Sequence, residues 1–226
     1  MSRSDESLKE FTVRRIKETG VLPCIKLHEK DDWVAYAQAM YDGGARALEV
    51  TMTTPGALEA IEAISGHFGK EMLVAAGTVL DAATAREVIL HGGSIIVNPC
   101  VIDDVIDLAN RYGNPVFSGA FTATEVFTAM RSGATMVKIF PGALGGAKYM
   151  TNLKMVFPEV NLIPSGGINL ANCADFIKAG ACAVSGARTF MDFDRIKEEG
   201  LGWITKQVAA FVKAIAEAKK DLPDIP

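Results

Sequence analysis

The sequence predicts an α/β fold, a (β/α)8 TIM barrel with an extra N-terminal helix. Three observations carry this. Eight short apolar or β-branched runs recur along the chain, apolar residues fall at helical spacing between them, and glycines stand where those helices should stop. The runs are 21–26 (VLPCIK), 46–51 (RALEVT), 72–76 (MLVAA), 94–98 (SIIVN), 115–118 (PVFS), 135–140 (TMVKIF), 161–165 (NLIPS) and 181–185 (ACAVS). Each has the length and composition of a buried strand.

Between the runs, sets such as Trp33-Ala37-Met40-Tyr41, Ala57-Ile61-Ile64, Val105-Leu108-Ala109-Tyr112 and Val126-Ala129-Met130 place apolar residues on one helical face. Gly43-Gly44, Gly92-Gly93, Gly133 and Gly180 then end helices just before the next strand. Strands alternating with helices imply right-handed crossovers and a parallel sheet. Eight such units in 226 residues approach the roughly 250 of a typical barrel. The competing open, doubly wound sheet would usually show Gly-x-Gly-x-x-Gly after an early strand, and that motif is absent. Residues 4–19 read as a leading amphipathic helix and 194–220 as one long final helix. No Pro/Ser linker, charge block or low-complexity tract divides the chain. It therefore reads as one domain: 1–19 leading helix, 20–193 barrel, 194–226 C-terminal helix and tail.

Composition narrows the function classes. Hydrophobic residues make up 49% of the chain, ample for a sizeable core. The 23 basic and 27 acidic residues give a net charge of −4 without a clustered Lys/Arg stripe, which argues against nucleic acid as a partner. Cys24, Cys100, Cys173 and Cys182 form no Cys-x-x-Cys pair and no zinc-spaced cluster with histidine. Free thiols and a cytoplasmic location are the expectation. The start carries no signal or transit composition, and no run nears the ~18 apolar residues of a membrane span, so no membrane partner is expected. His28, His67 and His91 are scattered and read as surface or capping residues. Without His-Glu-x-x-His, Gly-x-Ser-x-Gly or a calcium loop, metal and serine-hydrolase chemistry lack support.

Barrel active sites lie at the C-terminal ends of the strands. In TMVKIF, alternation puts Met136, Lys138 and Phe140 on one face and Val137 and Ile139 on the other. The aliphatic pair should face the helices, so Lys138 points inward. A desolvated amine there could attack a carbonyl and form a Schiff base, or Lys138 could be a structural salt-bridge partner. In ALEVT the same rule turns Ala47, Glu49 and Thr51 inward and Leu48 and Val50 outward. Glu49 is a candidate general acid/base, or simply the counter-ion of Lys138. Cys24 and Lys26 share a face at the first strand, and Lys26 could meet a substrate carboxylate or be a solvated loop lysine. Thr78 and Asn98-Pro99 close the third and fourth strands as rim or turn residues. Ser165-Gly166-Gly167 and Ser185-Gly186-Ala187 end the seventh and eighth, where many barrels bind phosphate, although glycine also serves any tight turn.

Taken together, LEVTMTT with Glu49, AAGTVL with Thr78, NP with Pro99, VKIFP with Lys138 and Phe140, SGGI and SGA resemble the bacterial 2-keto-3-deoxy-6-phosphogluconate and 4-hydroxy-2-oxoglutarate aldolases. The resemblance runs from about residue 10 to 215. It implies a class I, metal-independent aldolase that needs no cofactor, commonly a homotrimer. By that likeness Lys138 forms the Schiff base, Glu49 carries protons, and Thr78, Pro99 and Phe140 line the pyruvyl end. Ser165, Gly166 and Gly167, with Ser185, Gly186 and Ala187, would hold the distal phosphate. The gluconate-type members carry an arginine four residues after the glutamate for the substrate carboxylate, and here that position is Thr53. The chain is similar in this respect to the 2-keto-3-deoxy-6-phosphogalactonate branch, which also lacks that arginine and carries one at the end of the first strand. The aligned position is Lys26.

The implied reaction is retro-aldol cleavage of a 2-keto-3-deoxy-6-phospho sugar acid, of gluconate or galactonate type, to pyruvate and glyceraldehyde 3-phosphate. Cleavage of 4-hydroxy-2-oxoglutarate to pyruvate and glyoxylate is a further expectation. Two other readings are a phosphate-binding barrel isomerase or epimerase, which needs no imine-forming lysine, and a non-catalytic sugar-acid binding protein.

Overall fold

A computed structural model describes residues 6–26 and 32–222. The chain opens with helix α1 (Leu8–Thr19), then alternates β1 (Val21–Ile25), α2 (Trp33–Asp42), β2 (Ala47–Thr51), α3 (Ala57–Phe68), β3 (Leu73–Gly77) and α4 (Ala82–Leu90). It continues with β4 (Ile95–Val97), α5 (Asp103–Arg111), β5 (Val116–Ala120), α6 (Ala123–Arg131), β6 (Met136–Ile139) and α7 (Gly142–Val156). Last come β7 (Leu162–Pro164), α8 (Cys173–Lys178), β8 (Val184–Gly186), α9 (Phe193–Glu199) and α10 (Gly202–Lys220). The strands pair in parallel, in the order β7-β6-β5-β4-β3-β2-β1-β8. A single bridge between Ser165 and Ser185 joins the two ends. This is the (β/α)8 barrel that the eight runs predict.

Alternation along each strand divides the core in two. Leu48, Val50, Val137, Ile139 and Val184 pack outward against the helices. Leu22, Ala47, Leu73, Ala75, Ile95, Phe117, Met136 and Ile163 form a second apolar cluster that fills the barrel. Ile16 of α1 joins that inner cluster and is fully buried. Because α1 runs straight into β1 through Gly20, its apolar face closes the N-terminal end of the barrel. Polar inward side chains are thereby confined to the opposite end, where a site can be both open to solvent and floored by apolar packing.

Among the boundaries that differ from the sequence reading, three have a clear local cause. Helix α1 begins at Leu8, not residue 4, because Ser7 caps it: its Oγ accepts from the Glu10 N–H, and the Glu10 carboxylate accepts from the Ser7 N–H at 2.9 Å. Strand β5 runs on to Ala120 through Gly119, two residues of low strand propensity that hid its end. The expected single helix over 194–220 is two helices, since Gly200 ends α9 with φ 71° and donates its N–H to Ile196. The new start lets α10 bury Ile204, Val208, Phe211, Ile215 and Ala218 along one face as it packs against α8 and α2.

All four cysteines are free. His91 caps α4, its Nδ1 2.8 Å from the Glu87 carbonyl oxygen, and His67 meets the Phe68 ring edge-on. His28 lies outside the described residues. Among those residues no helix is long and apolar enough to cross a membrane, and no three His, Cys, Asp or Glu side chains gather as metal ligands.

Candidate active site

The C-terminal end of the barrel holds a cavity of about 460 Å³, within the size range of small-molecule sites. From β6, Lys138 enters it with its side chain 14% exposed, and from β2 Glu49 enters with 2%. Lys138 Nζ donates to both Glu49 carboxylate oxygens, each at 3.1 Å. A carboxylate and an ammonium so far removed from water are sustained by each other, because either alone would carry a large desolvation cost.

Two neighbours shape this pair. Gly77, at the end of β3, leaves room for the carboxylate: a Cβ there would lie 2.0 Å from Glu49 Oε1. On β1, Cys24 is the Cα partner of Glu49 in the strand register, and its thiol donates to Glu49 Oε1 at 3.7 Å. Burial and then the Glu49 charge push the Cys24 thiol well above its ordinary range, against the opposing pull of the Lys138 and Lys26 charges. It therefore stays a donor.

Gly77 gives a direct test of how tightly the carboxylate is placed. In Gly77→Ala the new methyl must displace Glu49, so kcat should fall by roughly tenfold or more while the melting temperature shows the barrel still folded. Unchanged turnover would mean that the position of Glu49 does not matter to the chemistry.

Around this centre stand Thr51, Thr78, Pro99, Phe140, Ser165, Gly166, Gly167, Ile168 and Gly186. Thr78 is held at φ 59°, a left-handed conformation that costs a β-branched residue about 1–3 kcal/mol and recurs at functional sites. Phe140 is 47% exposed, and its ring lies over Gly166, where a Cβ would come within 3.0 Å of it. Gly166 and Gly167 both have positive φ, 86° and 76°, which turns the chain tightly beneath the ring. Ten of the thirteen sequence-predicted site residues, Ala187 among them, thus meet in one cavity.

The other three do not line it. Lys26 stands just past β1 with an exposed side chain. Thr53 is exposed as well, and its hydroxyl donates to Thr51 Oγ1 at 3.1 Å. Ser185 is 1% exposed, and its Oγ has no hydrogen-bond partner. It lies on β8 between Leu22 of the inner cluster and Ser165, its bridge partner after β7.

Sequence reasoning missed Arg188 and Thr189, which complete the wall beyond β8. An unassigned arginine two residues past the small-residue turn was a usable signal. With Lys138 already paired to Glu49, the exposed Arg188 guanidinium is the second cation of the cavity. An amine and a carboxylate in contact, enclosed by a hydroxyl, an aromatic ring and glycine loops, can add to a carbonyl and move protons beside it.

Known proteins agree with this chemistry. Residues 13–207 match the family model described as KDPG and KHG aldolase. A 2-dehydro-3-deoxy-6-phosphogalactonate aldolase of Escherichia coli (strain K12) is 37% identical over 189 residues, 83% of this chain and 90% of that one. A native KDPGal structure superposes with a TM-score of 0.83 at 31% identity, covering 88% of this chain and 96% of the other. KDPG aldolase from Legionella pneumophila, solved with pyruvate captured as a covalent carbinolamine, gives 0.81 at 26% identity over 91% and 98% of the two chains. The isomerase and non-catalytic readings give way to a carbon–carbon lyase, and the chain belongs to the KDPG and KHG aldolase family.

Proposed function

We propose that this aldolase works through an imine on Lys138 and cleaves a 2-keto-3-deoxy-6-phospho sugar acid, of gluconate or galactonate type, to pyruvate and glyceraldehyde 3-phosphate. The observation that carries the reading is the Lys138–Glu49 contact at 3.1 Å inside the cavity. The carbinolamine seen in the Legionella relative is the adduct that such an amine makes with a keto acid. The same machinery accommodates 4-hydroxy-2-oxoglutarate, giving pyruvate and glyoxylate.

The steps follow from the pair. The Lys138 ammonium passes a proton to Glu49, and the neutral amine adds to the C2 carbonyl. Glu49 returns that proton to the departing oxygen, so water leaves and a protonated imine forms. Its carboxylate, directly or through water, takes the proton from the 4-hydroxyl. The C3–C4 bonding pair then moves into the imine, the aldehyde departs, and an enamine of pyruvate remains. Glu49 protonates C3 of the enamine, and water hydrolyses the imine to release pyruvate. Thr78, Pro99 and Phe140 enclose the pyruvyl part, and Lys26, at the same end of the barrel, is the cation proposed for the carboxylate. A point charge on a flexible stem orients a carboxylate less tightly than a guanidinium fork.

The distal phosphate is assigned to the Ser165–Gly167 and Ser185–Ala187 turns, the second through Gly186 and Ala187, which line the cavity, with Arg188 beside them. A guanidinium matches phosphate bidentately. Arg188→Ala should therefore raise KM for the 6-phospho substrates by about 10- to 100-fold, the loss of one charge-assisted contact. Its kcat/KM for 4-hydroxy-2-oxoglutarate should change by less than about twofold. Comparing both substrates, and the gluconate and galactonate epimers with and without the 6-phosphate, tests the reading. Equal use of phosphorylated and non-phosphorylated acids by the parent enzyme would remove the phosphate from it.

We further propose a cytoplasmic homotrimer. Leu144, Met155 and Val156 of α7 are 65–78% exposed and supply apolar surface of the kind that a subunit contact covers.

A further inference from the structure

The Glu49 carboxylate has two side-chain donors among the described residues, and they behave differently during turnover. Lys138 Nζ reaches both oxygens at 3.1 Å, and Cys24 Sγ reaches Oε1 alone at 3.7 Å. The remaining flank is bare of donors: Ala75, the partner of Glu49 on β3, is apolar, and Gly77 contributes no side chain. An ammonium carries three N–H bonds, whereas the protonated imine formed from it carries one. Once Lys138 has reacted it can no longer hold both oxygens. The thiol is untouched by the chemistry, fixed by the β1–β2 register and 6% exposed.

We propose that Cys24 is a positioning residue, whose S–H holds Oε1 of Glu49 through the cycle so that Oε2 faces the substrate carbon after Lys138 has become an imine. This rests on the proton-carrying role given to Glu49 above. In enamine protonation Glu49 as the acid carries its proton on Oε2, and the C2–C3 π pair takes that proton to form a C3–H bond and restore the imine. Oε1 remains a carbonyl oxygen and keeps accepting from the thiol. The sulfur neither gives up its proton nor changes oxidation state. Its contribution is orientation, to which proton transfer is sensitive at the level of an ångström.

The test uses pyruvate alone with the full-length enzyme, since pyruvate forms the imine and exchanges its methyl protons with D2O through the enamine. Exchange followed by NMR reads the proton step. Borohydride trapping, followed by mass at Lys138, reads imine formation. Cys24→Val fills the volume without a donor and should slow exchange by about tenfold, with trapping and the KM for pyruvate unchanged within about twofold. Cys24→Ser restores a donor and should recover most of the exchange rate. Parental exchange in Cys24→Val, a serine variant as slow as the valine one, or parallel loss of trapping would each overturn the proposal; the last would make Cys24 a packing residue. Glu49→Gln in the same assay separates the two layers. If it exchanges at the parental rate, the role of Glu49 falls. If it stalls while Cys24→Val does not, only the role of Cys24 falls.

Discussion

Lys138→Arg should abolish aldol cleavage, lowering kcat by about 10⁴-fold or more, while the protein keeps its fold. A lysine that supplies only a counter-charge to Glu49 would be replaceable by arginine, which restores a cation beside that carboxylate. A guanidinium, however, stays protonated across the working pH range and cannot add to a carbonyl. The two roles thus separate in one variant, where Lys138→Ala would remove charge and nucleophile together. A 10⁴-fold loss corresponds to about 5.5 kcal/mol of transition-state stabilisation, a modest figure for a covalent nucleophile, since losses near 10⁶ are known. Borohydride with pyruvate should add a stable mass to Lys138 in the parent and none in the arginine variant. Substantial turnover in Lys138→Arg, or labelling at another lysine, would sink the imine assignment.

Glu49→Gln should lower kcat by about 10²- to 10⁴-fold, the usual contribution of a general acid/base, with much less effect on KM. The amide is nearly isosteric and can still meet the Cys24 thiol and the Lys138 amine, so local geometry is retained. It cannot take up a proton from the 4-hydroxyl or deliver one to the enamine. Lys138 also loses the group that removes its proton, so imine trapping should become slower without disappearing. Kinetics that split in this way, with binding retained and every proton step retarded, are expected only if Glu49 carries protons. Near-normal turnover would reduce it to a counter-ion. This loss and that of Gly77→Ala should not add, because both act through the same carboxylate.

Much of this was legible in the chain because strand side chains alternate with a strict period of two. Lys138 between two outward aliphatics, and Glu49 between Leu48 and Val50, could be assigned to the barrel interior without coordinates, and Cys24 likewise beside Ile25. The helix stops were visible as glycines. What alternation cannot supply is depth along the barrel. Ser185 obeys the inward rule yet is buried between Leu22 and Ser165 without lining the cavity, whereas Arg188, past the last strand and outside any period, reaches it. The division of the last helix was masked by apolar spacing that continues on both sides of Gly200, although that glycine is a stop of the same kind as the others.

The sequence by itself determined the barrel, the faces of its strands and the inward turn of Lys138 and Glu49, since these follow from local periods of 2 and 3.6 residues. Only the tertiary structure decided that Lys138 and Glu49, 89 positions apart, meet at 3.1 Å, that a thiol completes their contact, and that Thr53 and Lys26 stay outside while Arg188 lines the wall. The reason is closure. A repeating pattern says which way a side chain points, but its neighbours across the barrel depend on how eight strands are staggered when the sheet closes on itself.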